Sequence, residues 1–273
     1  MKVNREREAE VMQGEGSRLP QNLQEREFIH EPAAFYSDFS SEQILNSLSV
    51  SVIIPAYNEE KNVENVLSGT IAVMEQLNLP YEIILVNDGS TDKTGLIASL
   101  FKVRVLTNKK NLGKGYSLKK ALQYANGDII VTIDSDGEHK PKEIAPLLEE
   151  VLNGIDVAAG SRFMNNQASV TTKLNQIGNH LFNLVIMALT GKHVTYSQTG
   201  FRVIKREVLN KLNLQSDGYE IETEKTVKSL KNGFALKELP ITVERRKFGA
   251  SKLKLISDGK RIMKTILTTS FMR

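Results

Sequence analysis

Residues Ile129 to Pro141 read Ile-Ile-Val-Thr-Ile-Asp-Ser-Asp-Gly-Glu-His-Lys-Pro. The first five are all β-branched, which suits a strand covered on both faces, as in a parallel sheet flanked by helices. The run stops at Asp134, and Asp136 and Glu138 follow at alternate positions around Gly137. Three carboxylates just past the C-terminal end of a central strand repel one another unless a cation lies among them. Their hard oxygens suit Mg²⁺ or Mn²⁺ shared with substrate phosphates. Open α/β sheets also bind ligands at this edge. The alternative is a polar turn whose aspartates cap a helix starting near Pro141.

Outward from this stretch, strands and helices alternate. Strands are expected at Val50–Pro55, Tyr81–Val86, Val103–Leu106 and Asp156–Ala159. Helical patterns lie between them, through Val63, Val66, Leu67, Ile71 and Met74, then to about Leu100, then to about Asn126. A further helix covers about Pro141–Leu152. This alternation predicts a doubly wound, mostly parallel α/β sheet. After Ser161 the pattern changes. Helices are expected at Leu174–Thr190, Arg206–Leu212, Tyr219–Lys231 and Ser251–Thr269, with strands at Gly200–Ile204 and Leu236–Val243. Residues 49–244 then make the main domain, 1–48 a polar and partly disordered extension, and 245–273 a basic loop and helix.

The chain has 273 residues and no cysteine, which excludes disulfides, thiolate nucleophiles and Cys-ligated zinc. Its four histidines are scattered. The N-terminus lacks an apolar core of signal-peptide type, and no run approaches the ~20 apolar residues that cross a bilayer. Charge is uneven. Residues 1–48 hold 5 Lys+Arg against 9 Asp+Glu, whereas 245–273 hold 9 against 1. The basic end points to an anionic partner. It lacks interleaved aromatics and any nucleic-acid motif, which speaks against nucleic acid.

Two loops share the predicted edge with Asp134, and a third stretch carries a lysine. Pro55-Ala56-Tyr57-Asn58-Glu59-Glu60 follows the first strand and offers amides and a carboxylate to a ribose or base, or is a plain capped helix start. Asn87-Asp88-Gly89-Ser90-Thr91-Asp92 follows the second. There Asp88 is placed to accept from a nucleobase, or the stretch is an Asx-type turn. Asn111-Leu112-Gly113-Lys114-Gly115 is not a Walker A loop, yet a Lys at a Gly-rich helix start suits a nucleotide.

In order, Val-Ser-Val-Ile-Ile-Pro-Ala-Tyr-Asn-Glu-Glu, Val-Asn-Asp-Gly-Ser-Thr-Asp, Gly-Lys-Gly, Asp-Ser-Asp and Gly-Ser-Arg resemble the family 2 glycosyltransferases of GT-A fold. Among these the chain is most similar to the dolichyl- and polyprenyl-phosphate mannose or glucose synthases. The resemblance spans about Val50 to Leu267. It implies a nucleotide-diphosphate sugar donor, a divalent metal, and inverting hexose transfer to a lipid phosphate. It implies that Pro55, Ala56, Asn58, Glu59, Asp88, Lys114, Asp134 and Ser135 line the donor nucleotide. Asp134, Asp136 and Glu138 would surround Mg²⁺ or Mn²⁺, although relatives often carry Gln at the last position. Arg246, just before Phe248-Gly249-Ala250-Ser251-Lys252, matches the Arg of the family's mobile loop. Asp136, Arg246 and Arg162 would be catalytic, and Arg162, Lys173, Arg246 and Lys252 would hold the acceptor phosphate. Tyr196 stands near the place where relatives commonly have Asp.

An ionised phosphate acceptor needs cations rather than a strong base. A hydroxyl acceptor, the alternative within the same fold, would need a carboxylate base, for which Glu220 or Glu222 are candidates. Their alternation also suits a helix surface. A third reading is a non-catalytic nucleotide-sugar-binding protein at a membrane. Two stretches suit contact with a membrane surface or with the core: Leu181–Leu189, and the basic amphipathic run Lys254–Leu267 with Leu255, Ile262, Met263, Ile266 and Leu267. The expectation is a peripheral protein on the cytoplasmic face of a membrane, without a transmembrane helix. A homodimer or a membrane-protein partner stays open, as do the donor base (uracil or guanine), the sugar and the lipid length.

Overall fold

A computed structural model of the chain describes residues 48–164, 172–246, 248–249, 252 and 255–271. Apart from Leu48, the expected N-terminal extension lies outside them. Seven strands form one sheet: β1 (Val50–Ala56), β2 (Tyr81–Asn87), β3 (Arg104–Thr107), β4 (Ile129–Thr132), β5 (Val157–Ser161), β6 (Arg202–Lys205) and β7 (Leu236–Pro240). Their order across the sheet is β3-β2-β1-β4-β6-β5-β7. The helices are α1 (Val63–Leu77), α2 (Thr94–Ala98), α3 (Lys114–Leu122), α4 (Ile144–Leu152), α5 (Lys173–Thr190), α6 (Arg206–Leu212), α7 (Ile221–Lys231) and α8 (Leu255–Phe271).

The β-branched run behaves as its composition requires. Every residue of β4 is buried, and Ile53, Ile84, Val86, Ile130, Val157 and Ile204 form the centre of the core with Leu118 and Ala121 of α3. Element bounds differ from expectation by a few residues at the ends. Strand β7 stops at Pro240 rather than Val243, and Val243 makes an isolated bridge to His139. Helix α4 starts at Ile144 after a single 3₁₀ turn, Pro141–Glu143.

Strand direction decides what meets at the sheet edge. Strands β1, β2, β3 and β4 are mutually parallel, β6 runs antiparallel to both β4 and β5, and β5 runs parallel to β7. The C-terminal ends of β1, β2, β4, β5 and β7 therefore share one edge with the N-terminal end of β6. That geometry brings Tyr57–Asn62, Asp88–Thr94, Asp134–His139, Arg162, Gly200 and Ile241–Arg246 to one side.

Helix α8 is not a detached appendage. Ile262 and Ile266 are buried in a second apolar cluster with Ile186, Val194 and Val227, against Phe182 and Val185 of α5. Of the apolar residues named for this run, Ile262 and Ile266 thus dock α8, whereas Leu267 is exposed. Ile266→Ala removes a fully buried side chain, so unfolding in urea should show a loss of about 3 kcal/mol. A loss under about 0.5 kcal/mol, the size of a surface change, would mean that α8 does not belong to the body.

Candidate active site at the sheet edge

The loops after β1 and β2 are tied together before any ligand arrives. Asn58 takes a left-handed backbone with φ of 52°, and its side-chain oxygen accepts from the Thr91 N–H at 2.8 Å. The Asn58 and Glu59 N–H groups donate to the hydroxyls of Ser90 and Thr94 at 3.0 and 2.7 Å. The Ser135 hydroxyl donates to the Pro55 carbonyl at 2.9 Å, locking the acidic loop onto the end of β1. Gly89 turns with φ of +70°, and a Cβ there would strike the Lys110 backbone.

Asp88 is buried, and both its oxygens are occupied. It accepts from Asn108 Nδ2 at 2.8 Å and from the N–H groups of Leu112 and Gly113 at 2.9 Å each. These bonds make Asp88 a clamp that shapes the loop entering α3.

The three carboxylates do not share one centre. Asp134 Oδ1 pairs with Lys114 Nζ at 2.5 Å. Asp136 pairs closely with the Arg246 guanidinium, and Glu138 Oε2 accepts from Arg162 Nη2 at 3.2 Å. Among the described residues no group of three His, Asp or Glu side chains could hold a metal ion. The expected triad is therefore divided, each member with its own cation, because three adjacent charges cannot stand unpaired.

Arg246 reaches Asp136 because the segment after β7 is strapped to the acidic loop. The Glu244 N–H donates to the Glu138 carbonyl at 2.9 Å, beside the His139–Val243 bridge. Arg246 also lies 3.7 Å from Glu59 and 3.6 Å from Glu138. Lys252 Nζ donates to the Tyr57 carbonyl, to the Asn58 carbonyl at 3.0 Å and to Glu59 Oε1 at 2.8 Å. Burial alone would raise the Asp136 carboxyl, but positive charge at His139 and Arg246 outweighs it and holds it low. Burial also pushes His139 toward its neutral form, so Arg246 is the partner that counts at neutral pH. Glu138 moves the other way, raised by burial and by the Asp136 charge.

Behind Lys114 lies a group for which the sequence offered two readings, a carboxylate base or a helix surface. Glu222 is only 2 % exposed. Its carboxylate pairs with Lys114 at 3.2 Å, Lys225 at 2.7 Å and Arg202 at 3.7 Å. The alternating Glu pattern misled because α7 is packed against α3, α5, α6 and α8, leaving its first turns no solvent side. Burial opposes every charge here. It pushes the Lys225 ammonium down to about 8, whereas Asp134 and Glu222 overcome it at Lys114 and raise that group. A Cβ at Gly200, two residues before β6, would strike Lys114 Nζ and both oxygens of Asp134, so glycine there leaves room for this ion pair. The i,i+3 spacing of Glu222 and Lys225 and the charged Arg202 inside an apolar strand were the available signals.

Arg162 is buried, and its guanidinium lies 5.3 Å from the Tyr196 ring centre. It lies in the charged cluster with Lys114, Arg246 and Lys252. Lys173 does not: it is exposed at the start of α5, with no hydrogen bond or ion pair to the cluster among the described residues. His139, unremarked in sequence, is buried 3.8 Å from Asp134, and neither ring nitrogen has a hydrogen-bond partner.

The donor set suits a hard divalent ion once a ligand shares it. Asp136 and Glu138 are adjacent oxygen donors, and Mg²⁺ commonly takes one or two protein carboxylates plus substrate phosphates. Asp134, turned to Lys114, is not part of that pair.

The family model described as "Glycosyl transferase family 2" matches residues 51–212. An uncharacterised protein of Methanocaldococcus jannaschii is 35% identical over 83% of this chain and 95% of its own length. The undecaprenyl-phosphate 4-deoxy-4-formamido-L-arabinose transferase of Pectobacterium carotovorum is 32% identical, over 82% of this chain and 69% of its own. The polyprenol monophosphomannose synthase of Mycolicibacterium smegmatis is 31% identical, over 74% and 80%. Glucosyl-3-phosphoglycerate synthase of Mycobacterium tuberculosis, crystallised with Mn²⁺, uridine diphosphate and phosphoglyceric acid, shares the GT-A fold. It superposes with a TM-score of 0.66 at 23% identity, covering 83% of this chain and 80% of that one.

Glu222→Gln leaves three buried cations short of a counter-charge. Its unfolding free energy should fall by about 3 kcal/mol. A loss below about 1 kcal/mol in chemical denaturation would show that water already screens these charges.

Proposed function

The chain belongs to glycosyl transferase family 2, and on that premise we propose that it moves a hexose, with inversion, from a nucleoside-diphosphate sugar to a polyprenyl or dolichyl phosphate at the cytoplasmic face of a membrane. The observation that carries this reading is the convergence of Lys114, Arg162, Arg246 and Lys252 on the acidic edge of the sheet. Such a site suits two anionic reactants. The names of relatives that act on undecaprenyl and polyprenyl phosphates support the lipid acceptor.

The residues divide the work by charge. Pro55, Ala56, Asn58 and Glu59 border the nucleoside side of the edge, and Lys114 offers a cation there. Arg162 and Arg246 present guanidinium forks, which bind phosphate in bidentate fashion. They now pair with Glu138 and Asp136, and a diphosphate and an acceptor phosphate would draw them off. The acceptor oxygen is already ionised, so it attacks the anomeric carbon without a base while the nucleoside diphosphate departs from the opposite face. A divalent ion, Mg²⁺ or Mn²⁺, held by Asp136 and Glu138 would supply Lewis-acid stabilisation to the leaving diphosphate. The Mn²⁺ and uridine diphosphate bound by the fold neighbour are in keeping with this chemistry. Donors of GDP-mannose or UDP-glucose type both suit it.

The competing reading, transfer to a hydroxyl, asks for a free carboxylate. Glu222 is enclosed by three cations and held below its ordinary value, against burial, by Lys114, Lys225 and Arg202. A group so stabilised as its anion is a poor proton acceptor.

A panel of nucleotide sugars with Mg²⁺ or Mn²⁺ and a lipid phosphate, read by mass spectrometry, should yield a glycosyl lipid phosphate. Chelation should abolish the product and Mn²⁺ should restore it. Asp136→Asn should lower turnover about a hundredfold or more, as loss of transition-state charge stabilisation does; a drop under about tenfold would sink the metal role. Arg246→Ala should cut transfer about a hundredfold while donor affinity changes less than about threefold, the mark of a contact made in the transition state.

A further inference from the structure

Arg162 is held by a carboxylate on one side and by a ring on another. Its Nη2 donates to Glu138 at 3.2 Å, and its guanidinium carbon lies over the Tyr196 ring, 5.3 Å from the centroid. The residue is 7 % exposed, and its Nε–H has no hydrogen-bond partner among the described residues. The two neighbours act differently on the cation. A carboxylate neutralises a guanidinium and occupies its donors, whereas an aromatic face attracts the cation and leaves its charge whole. Tyr196 therefore fixes where the guanidinium lies without cancelling what it offers to an incoming anion.

The ring is itself firmly built in. The N–H groups of Thr195 and Tyr196 donate to the two carboxylate oxygens of Glu238 in β7, at 2.5 and 2.7 Å. The Thr195 carbonyl accepts from Asn183 Nδ2 of α5 at 2.7 Å. Its hydroxyl lies 2.6 Å from the hydroxyl of Ser161, the residue before Arg162. Phe163, the residue after Arg162, sets its ring edge-on to Tyr196 with centroids 5.1 Å apart. Strands β5 and β7 and helix α5 thus hold Tyr196 against the very backbone that carries Arg162. Burial raises the Tyr196 phenol above its ordinary value despite the opposing charge of Arg162. The ring accordingly meets the guanidinium as a neutral face and not as a phenolate.

We propose that Tyr196 is a positioning residue for the acceptor: its ring holds the Arg162 guanidinium while a phosphate monoester takes the place of Glu138, and the ring contact persists in the complex. The proposal rests on the acceptor reading above and adds to it the residue that aims Arg162. Ring and phosphate do not compete, because the phosphate takes the side of the guanidinium that Glu138 holds now. Without the ring, a long arginine side chain spreads over several rotamers once its carboxylate partner is displaced. Ordering it again at each binding event weakens the complex, which preorganisation avoids.

The test is binding of citronellyl phosphate, a short water-soluble isoprenoid phosphate, to the full chain by isothermal titration calorimetry, with transfer kinetics beside it. The wild type should bind it, and Arg162→Gln should bind it about tenfold or more weakly, as loss of a charged fork requires. Tyr196→Leu, apolar but without a ring, should weaken binding about tenfold. It should raise KM for the acceptor by a similar factor while KM for the donor moves less than about twofold. Tyr196→Phe keeps the ring face and should stay within about twofold of the wild type. Phenylalanines bearing one, two and three ring fluorines at position 196 have nearly the same shape but a progressively weaker negative face. Binding should weaken stepwise along that series while thermal midpoints stay level, an order that a packing role would not follow and that needs no leucine variant to fold. Affinity that ignores fluorine number or rises with it, or a phenylalanine variant as weak as the leucine one, overturns the proposal. Where Arg162→Gln binds poorly but every Tyr196 variant matches the wild type, the acceptor reading stands and the positioning role falls. A wild type that neither binds citronellyl phosphate nor transfers to it sinks both.

Discussion

Charge compensation at one edge of the sheet governs this molecule. Carboxylates of Asp134, Asp136, Glu138, Glu59 and Glu222 crowd a region with little solvent, and each is answered by a lysine or an arginine. Removing either sign would leave buried charge uncompensated, which a fold of ordinary stability does not tolerate. The pairs are also what gives the edge its chemistry. A phosphate ester is another carboxylate-like anion to a guanidinium, and a divalent ion is another cation to Asp136.

Two tiers can be distinguished by how firmly their partners are held. Lys114, Glu222, Lys225 and Arg202 are deep and mutually enclosed, and Gly200 leaves room for Lys114 to meet Asp134. Arg162, Arg246 and Lys252 come from segments that end at the rim, where Glu138, Asp136 and Glu59 receive them. The inner tier fixes Lys114 and, through it, Asp134. The outer tier can exchange carboxylate for phosphate without disturbing the core. Preorganised charge of this kind lowers the reorganisation that a reaction between anions would otherwise demand.

The same sheet explains how distant stretches of chain serve one site. The antiparallel insertion of β6 between β4 and β5 keeps β5 and β7 parallel to the first four strands. Arg162 and Arg246 thereby finish on the edge where Asp134 begins. Helices α5 and α8 cover β7's side of the molecule through the second apolar cluster.

Much of this was legible in the residues themselves. The β-branched run before Asp134, the alternation of strands and helices, and the ordered short motifs sufficed for a GT-A sheet with its acidic loop, because burial on both faces demands one kind of side chain over a known length. Arg162 and Arg246 could be placed at the edge for the same reason: each follows a strand. The partners of the acids could not be read, because an ion pair such as Lys114 with Glu222 joins residues remote in sequence, and no local periodicity reports it. The hydrogen bonds that Asn108, Leu112 and Gly113 make to Asp88 could not be read either, because they span 20 to 25 residues. Glu222 looked like surface because period-two acids on a helix ordinarily face water, and only packing on every side of α7 buried it. The apolar residues of α5 and α8 were visible as letters, but which of them faces inward depends on how two helices dock, a decision made by tertiary contact alone.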